Sequence, residues 1–342
     1  MCLNIQINIF SLNNDLIAIN YLQFNTACYL IAATLTIKDN GMTTAPNNWK
    51  IGMILSLITV LFWSTLPVSL KISLSALDAW TLTWARFVFA AFFTLLLLIS
   101  KKRLGQYKNL SGKEWCWLLL ASSMLVANYL LFLYGLELTS PANAQVFIQM
   151  APLLMTLGGV FIFKESFSKL QLLGAGFVII GMGFFFKDQL SQILDSDFTT
   201  GFWIMFAAAL TWAIYALIQK KLSSKLSSQG ILFFVYAFAS VVLAAGINTH
   251  QFNQLNSTQW WAILYACFNT VGAYAAFAEA LNYWQASRVG MVLAMTPVIT
   301  LFFINAFAAL FPSLLSQESI QLFGYIGVAM IVSGSMLASL KK

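Results

Sequence analysis

Apolar residues fall in ten long runs, each closed by polar or charged positions: 51–70, 80–100, 115–136, 144–163, 170–186, 202–218, 230–247, 260–281, 289–310 and 322–340. Runs of about 20 residues without interruption match the thickness of a bilayer crossed as α-helix. Inside hydrocarbon each run must satisfy its own backbone hydrogen bonds, which a helix does and an isolated strand does not. The pattern predicts an all-α integral membrane protein with ten transmembrane helices. Most connections are short, so no extramembrane domain is expected.

Charge then orients the spans. Lys101, Lys102, Arg103, Lys108 and Lys113 follow span two, Lys164 and Lys169 follow span four, Lys220, Lys221 and Lys225 follow span six, and Arg288 follows span eight. With Lys38 and Lys50 before span one and Lys341 and Lys342 at the end, fifteen of the eighteen basic residues share one side. Lys and Arg near span ends are retained in the cytoplasm, so both termini are expected there. Residues 16–37 are apolar but carry Asn20, Gln23 and Asn25, and an eleventh helix would reverse the N-terminus. No basic residue precedes that stretch, which argues against a signal peptide. Residues 1–49 read as a dispensable extension or an upstream mis-start, with Met42 and Met53 as candidate true starts.

The chain also repeats itself. Gly52 and Trp63 in span one recur with the same spacing as Gly201 and Trp212 in span six. Tyr129, Phe132 and Pro152 recur 145 positions later as Tyr274, Phe277 and Pro297, and Glu165, Gly174 and Gly181 recur 153 positions later as Glu318, Gly327 and Gly334. The repeats cover 50–187 and 201–340, five spans each. An odd number of crossings inverts the second copy relative to the first, the architecture associated with alternating access.

Composition narrows the function. Hydrophobic residues make up 60% of the chain and charged residues 8%, and the formal charge of +7 is spread between apolar runs rather than clustered for nucleic acid. Cys2, Cys28, Cys116 and Cys267 are far apart, and His250 is the single histidine. Neither a disulfide framework nor a metal site follows, and no nucleotide-binding or metallohydrolase motif is present. The sequence reads as a non-enzyme without cofactor or metal, whose partners are lipid and a small solute.

Arg86-Phe87 in span two, Tyr134-Gly135-Leu136 leading through Ser140-Pro141-Ala142 to Pro152, and Glu165 with Gln171, Gly174 and Gly181 carry a family resemblance. In the second half the pattern is Ala286-Ser287-Arg288, then Pro297, Glu318, Gly327 and Gly334. On these residues, from about Ile51 to Leu340, the chain resembles the drug/metabolite transporter superfamily, in its ten-helix EamA branch of permeases and exporters. The resemblance implies a cytoplasmic-membrane carrier with a central cavity between inverted halves, commonly exporting amino acids or related metabolites. The sequence departs from the pattern between Pro297 and Glu318, where an insertion includes Phe311-Pro312-Ser313 and leaves the geometry of that loop open.

Several residues are candidates for handling cargo. Arg86 lies six positions past Trp80, about 9 Å deep at 1.5 Å per residue, and a buried Arg costs at least about 2.5 kcal/mol on insertion scales. It either anchors an anionic group such as a carboxylate or serves structure by binding helix-end carbonyls, and the resemblance, spanning members with different cargo, favours the structural role. Trp63 and Trp212 sit near the midplane at equivalent repeat positions, placed to stack on cargo, with Tyr215 one turn on, or to pack the repeats together. Gln145, Gln149 and Pro152 share a face of span four. Pro152 and Pro297 each remove a backbone donor, and irregular backbone at depth belongs beside a cavity. Asn128 and Asn269 are polar candidates for either cargo or interhelical hydrogen bonds. Glu279, in an apolar run of span eight, is the proton-coupling candidate, with an interfacial Glu or an Arg288 pair as the bland alternative. Glu165 and Glu318 are expected to cap the spans that follow them, and the paired glycines to serve helix packing.

These readings lead to an alternating-access carrier for an amino-acid-like metabolite, export favoured. A proton-coupled organic-cation or drug exporter is the alternative, and a membrane enzyme or scaffold the third option. Phosphorylated cargo fits less well, because Arg86 alone is basic within the apolar spans.

Overall fold

A computed structural model describes residues 48–165, 168–187, 196–310 and 322–339. The N-terminal extension up to residue 47, the insertion at 311–321 and Glu318 lie outside the described residues.

Among the described residues twelve α-helices follow the predicted spans: α1 (Trp49–Leu74), α2 (Ala79–Ser100), α3 (Gly112–Leu138), α4 (Pro141–Phe147), α5 (Met150–Phe163), α6 (Lys169–Lys187), α7 (Ser196–Leu222), α8 (Ser228–Leu243), α9 (Ser257–Tyr283), α10 (Ala286–Leu293), α11 (Thr296–Leu310) and α12 (Leu322–Ser339). Spans four and nine are each two half-helices, α4–α5 and α10–α11. Among the described residues nine helical stretches are long and apolar enough to cross a membrane, and the shorter apolar α12 takes the tenth position.

Local chemistry sets the helix starts. Asp78 accepts from the Thr81 N–H at 2.8 Å, and Ser111 with Glu114 and Asn256 with Gln259 form reciprocal capping boxes at equivalent ends of α3 and α9. Glu165 departs from its expected role. Ser168 and Gln171 cap α6 reciprocally, whereas Glu165 reaches across the repeat to the start of α10. The competing principle is proximity: Ser168 already meets the free N–H groups of α6.

Packing pairs each helix with a counterpart from the other repeat. Span one (α1) lies on span eight (α9) as span six (α7) lies on span three (α3), while α2 packs on α8, α5 on α10, and α6 on α12. The α6–α12 crossing is backbone on backbone. A Cβ on Gly181 would sit 2.7 Å from the Gly327 carbonyl, and one on Gly334 2.5 Å from that of Gly174. This antiparallel register of four repeat-related glycines is the close approach small residues permit where no hydrophobic driving force separates helix from lipid. Large apolar side chains such as Phe161 and Phe302, each 70% exposed, face outward, as lipid as solvent allows.

Candidate functional site

A cavity of about 90 Å³ lies where the inverted repeats meet, lined by residues of α1, α2, α3, α4, α5, α7, α9, α10 and α11. It extends from mid-depth away from the side carrying most of the lysines, called here the basic side. Its walls include Trp63, Arg86, Asn128, Gln145, Gln149, Pro152 and Trp212, seven of the cargo candidates singled out from sequence.

Helix breaks form part of the wall. Pro152 cannot donate to the Ile148 carbonyl, so the chain tightens and the Ala151 N–H takes that oxygen at 2.8 Å. Pro297 similarly frees the Leu293 carbonyl, which receives the Thr296 hydroxyl at 2.6 Å. Ile148 and Gln149 line the cavity from one break, Leu293 and Thr296 from beside the other. A third proline, Pro67 inside α1, frees the Trp63 carbonyl. The Gln145 amide donates to that oxygen at 2.8 Å, fixing α4 to α1. Gln149 Nε2 donates to the Gln145 carbonyl, and its Oε1, buried at the wall, has no protein partner among the described residues.

Arg86 is 3% exposed. Its Nε donates to Thr270 Oγ1 at 3.0 Å, and its Cζ stands 4.5 Å from the centroid of the Tyr129 ring. Among the described residues no Asp or Glu lines the cavity and no carboxylate reaches salt-bridge distance of Arg86. The side chain is a cation supported by a hydroxyl and a π face, which lessens its desolvation cost without neutralising it.

The floor is aromatic. Trp63 meets Trp212 and Tyr274 edge-on, both at 5.5 Å between centroids, and Trp212 lies 5.1 Å from Phe277. Tyr129 and Tyr274, related by the repeat, are 5.8 Å apart.

Of the sequence candidates, Tyr215, Asn269, Pro297 and Glu279 lie off the wall. Tyr215 is fully buried behind the floor, with its hydroxyl donating to Gln219 at 2.6 Å and its ring 6.0 Å from that of Tyr274. Asn269 lies off the wall, where its Nδ2 donates to the Phe62 carbonyl at 2.6 Å, joining α9 to α1, while its buried Oδ1 has no partner among the described residues. Pro297 shapes the break but is not a wall residue, whereas its neighbour Thr296 is. Asn128 is at the wall while its amide donates to the Ala208 carbonyl at 2.8 Å. Glu279 is 6% exposed and accepts from Gln229 and Asn282, both at 3.2 Å, away from the cavity wall. Sequence reading passed over Tyr129, Tyr274, Pro67 and Thr296 as site residues. The first two carried a signal in their matched repeat positions, and Pro67 in its place four residues after Trp63.

Inverted, cross-packed repeats with broken helices around a buried cavity define a multi-pass membrane transport protein. Comparison with known proteins makes this specific. The model of the EamA-like transporter family matches residues 50–187 and 199–340, and the chain belongs to that family. It is 32% identical over 292 residues to an uncharacterized transporter of Haemophilus influenzae, covering 85% of this chain and 95% of the relative. It is also 32% identical over 293 residues to the uncharacterized inner membrane transporter YhbE of Escherichia coli K12, covering 85% and 91%. A solved crystal structure superposes with a TM-score of 0.66 at 16% identity, covering 84% of this chain and 96% of the other, a likeness of fold.

Proposed function

We propose that this transporter moves a small, carboxylate-bearing, amino-acid-like metabolite by alternating access, with its basic side and both termini in the cytoplasm and with export as the direction the family resemblance favours. The observation that carries the reading is Arg86, a buried cation on the cavity wall with no acidic neighbour there. A guanidinium in that position gains most from a ligand that brings the missing anion. Gln149 Oε1 adds an unmet acceptor for an ammonium or amide N–H, and the Trp63–Trp212–Tyr274 floor offers π faces. An organic cation would meet Arg86 as a like charge, which weighs against the drug-exporter alternative.

The test compares binding of a carboxylate and its amide to purified protein and to Arg86→Lys. The lysine keeps the charge but loses the planar fork. The reading expects affinity for the acid to fall by about tenfold or more, the equivalent of about 1.4 kcal/mol, with the amide little changed. Equal loss for both would return Arg86 to a structural role.

A further inference from the structure

On the basic side, directly below the cavity, Glu165 sits with its side chain 7% exposed and 3.1 Å from Lys220 Nζ. Its carboxylate also accepts the N–H groups of Ala286 at 3.1 Å and Ser287 at 3.0 Å, the first turn of α10. Lys220 in turn donates to the Trp284 carbonyl at 3.3 Å. One charge pair therefore ties the end of span four to the end of span six and the start of span nine. We propose that Glu165, Lys220 and the first turn of α10 form a latch that holds the basic side shut, released when the cavity turns to that side. The proposal rests on the alternating-access reading above.

Three features point to a latch rather than a static staple. First, the helices it joins run straight to the cavity. Ala151 and Pro152 at the start of α5 line the wall, and beyond its last residue Lys164 adopts φ 55°, folding Glu165 back onto α10. Leu293 at the far end of α10 lines the wall as well. Motion of either half-helix at the cavity is thus transmitted to the latch.

Second, the seam between α5 and α10 is smooth and polar rather than interlocked. A Cβ on Gly290 would stand 2.8 Å from the Pro152 carbonyl, so that glycine permits the close approach of α10 to α5, and one on Gly159 would crowd Glu165 Oε2 at 2.6 Å. The Thr156 hydroxyl, which donates to the Pro152 carbonyl of its own helix at 2.8 Å, also stands 3.3 Å from the Ser287 carbonyl across the same seam. Third, closure buries polar atoms without serving them. Trp284 Nε1, Gln285 Oε1 and Arg288 Nε have no partner among the described residues. Water admitted on opening would meet them, offsetting part of the cost of separating a half-buried pair.

The test needs no cargo. In protein with its native cysteines replaced, Ser287→Cys reports access from the basic side and Leu66→Cys reports the cavity wall from the other, each by its rate of reaction with a membrane-impermeant maleimide. Adding Glu165→Gln is expected to raise labelling of the Ser287 position by about tenfold or more and to lower that of the Leu66 position, as a shift between two exclusive states requires. Unchanged labelling in folded protein overturns the latch. So does a rise at both positions together, the mark of a loosened structure. Where Glu165→Gln fails to fold, Lys220→Gln is read in the same way. Absence of amino-acid binding with reciprocal labelling intact would reject the cargo reading alone.

Discussion

Single residues in this cavity are legible in proportion to how much they offend the bilayer. Arg86 and the mid-depth tryptophans stand out in an apolar run because each costs free energy unless used. Asn269 and Tyr215 stand out for the same reason, yet the Asn269 amide N–H₂ and the Tyr215 hydroxyl bond to Phe62 and Gln219 away from the wall, and no sequence pattern tells which way a lone polar side chain turns. Gln145 shows the converse, since its partner, the Trp63 carbonyl, is created by Pro67 on another helix. Replacing Gln145 with Leu leaves that carbonyl buried and unmet, which we expect to lower stability by about 1–3 kcal/mol, read as a fall in melting temperature in detergent. Glu279, off the wall, permits a different check: Glu279→Gln should leave cargo affinity within about twofold while abolishing any pH dependence of flux if the carboxyl exchanges protons. Retained pH dependence would remove it from the mechanism.

Element boundaries were readable because charge punctuates apolar runs, and every predicted span holds a described helix. The helix breaks were announced by Pro152 and Pro297. Their repair by the Ala151 N–H and the Thr296 hydroxyl was not, because it depends on local tightening of the turn. Glu165 was misread for a related reason: its sequence position before α6 suggests a local cap, but the free N–H groups it meets belong to α10. Burial pushes its carboxyl up, yet Lys220 on α7 and the Ser287 N–H outweigh this and hold it below the usual carboxylate range. Its contribution to the closed state is therefore complete above the ordinary glutamate value of about 4.3 and is lost only as pH falls through the depressed value. Labelling of the Ser287 position should accordingly be flat between about pH 5.5 and 8 once corrected for thiol ionisation, and a rise in that window would contradict the assignment. At the α6–α12 crossing, Gly181→Ala forces a Cβ against the Gly327 carbonyl, with an expected loss of about 1–3 kcal/mol in thermal unfolding.

For the whole molecule, the repeat in sequence predicted inversion but not interdigitation. Equal spacing of Trp63 and Trp212 says that two units are alike, whereas the pairing of span one with span eight, and span six with span three, is decided by which faces fit. Interdigitation explains why the cavity draws walls from both halves, with matched residues such as Tyr129 and Tyr274 meeting across it. It also places Arg86, from one repeat only, as an asymmetric charge in a nearly symmetric site, which in the proposed reading would orient a bound carboxylate. The most direct test is counterflow of pooled radiolabelled amino acids into proteoliposomes of purified protein, with and without an imposed pH gradient, beside Arg86→Lys. Accumulation of an acid-bearing compound, reduced by about tenfold or more in the variant, is the expected result. Absence of accumulation by folded protein, or equal accumulation by the variant, would contradict a carboxylate held at Arg86.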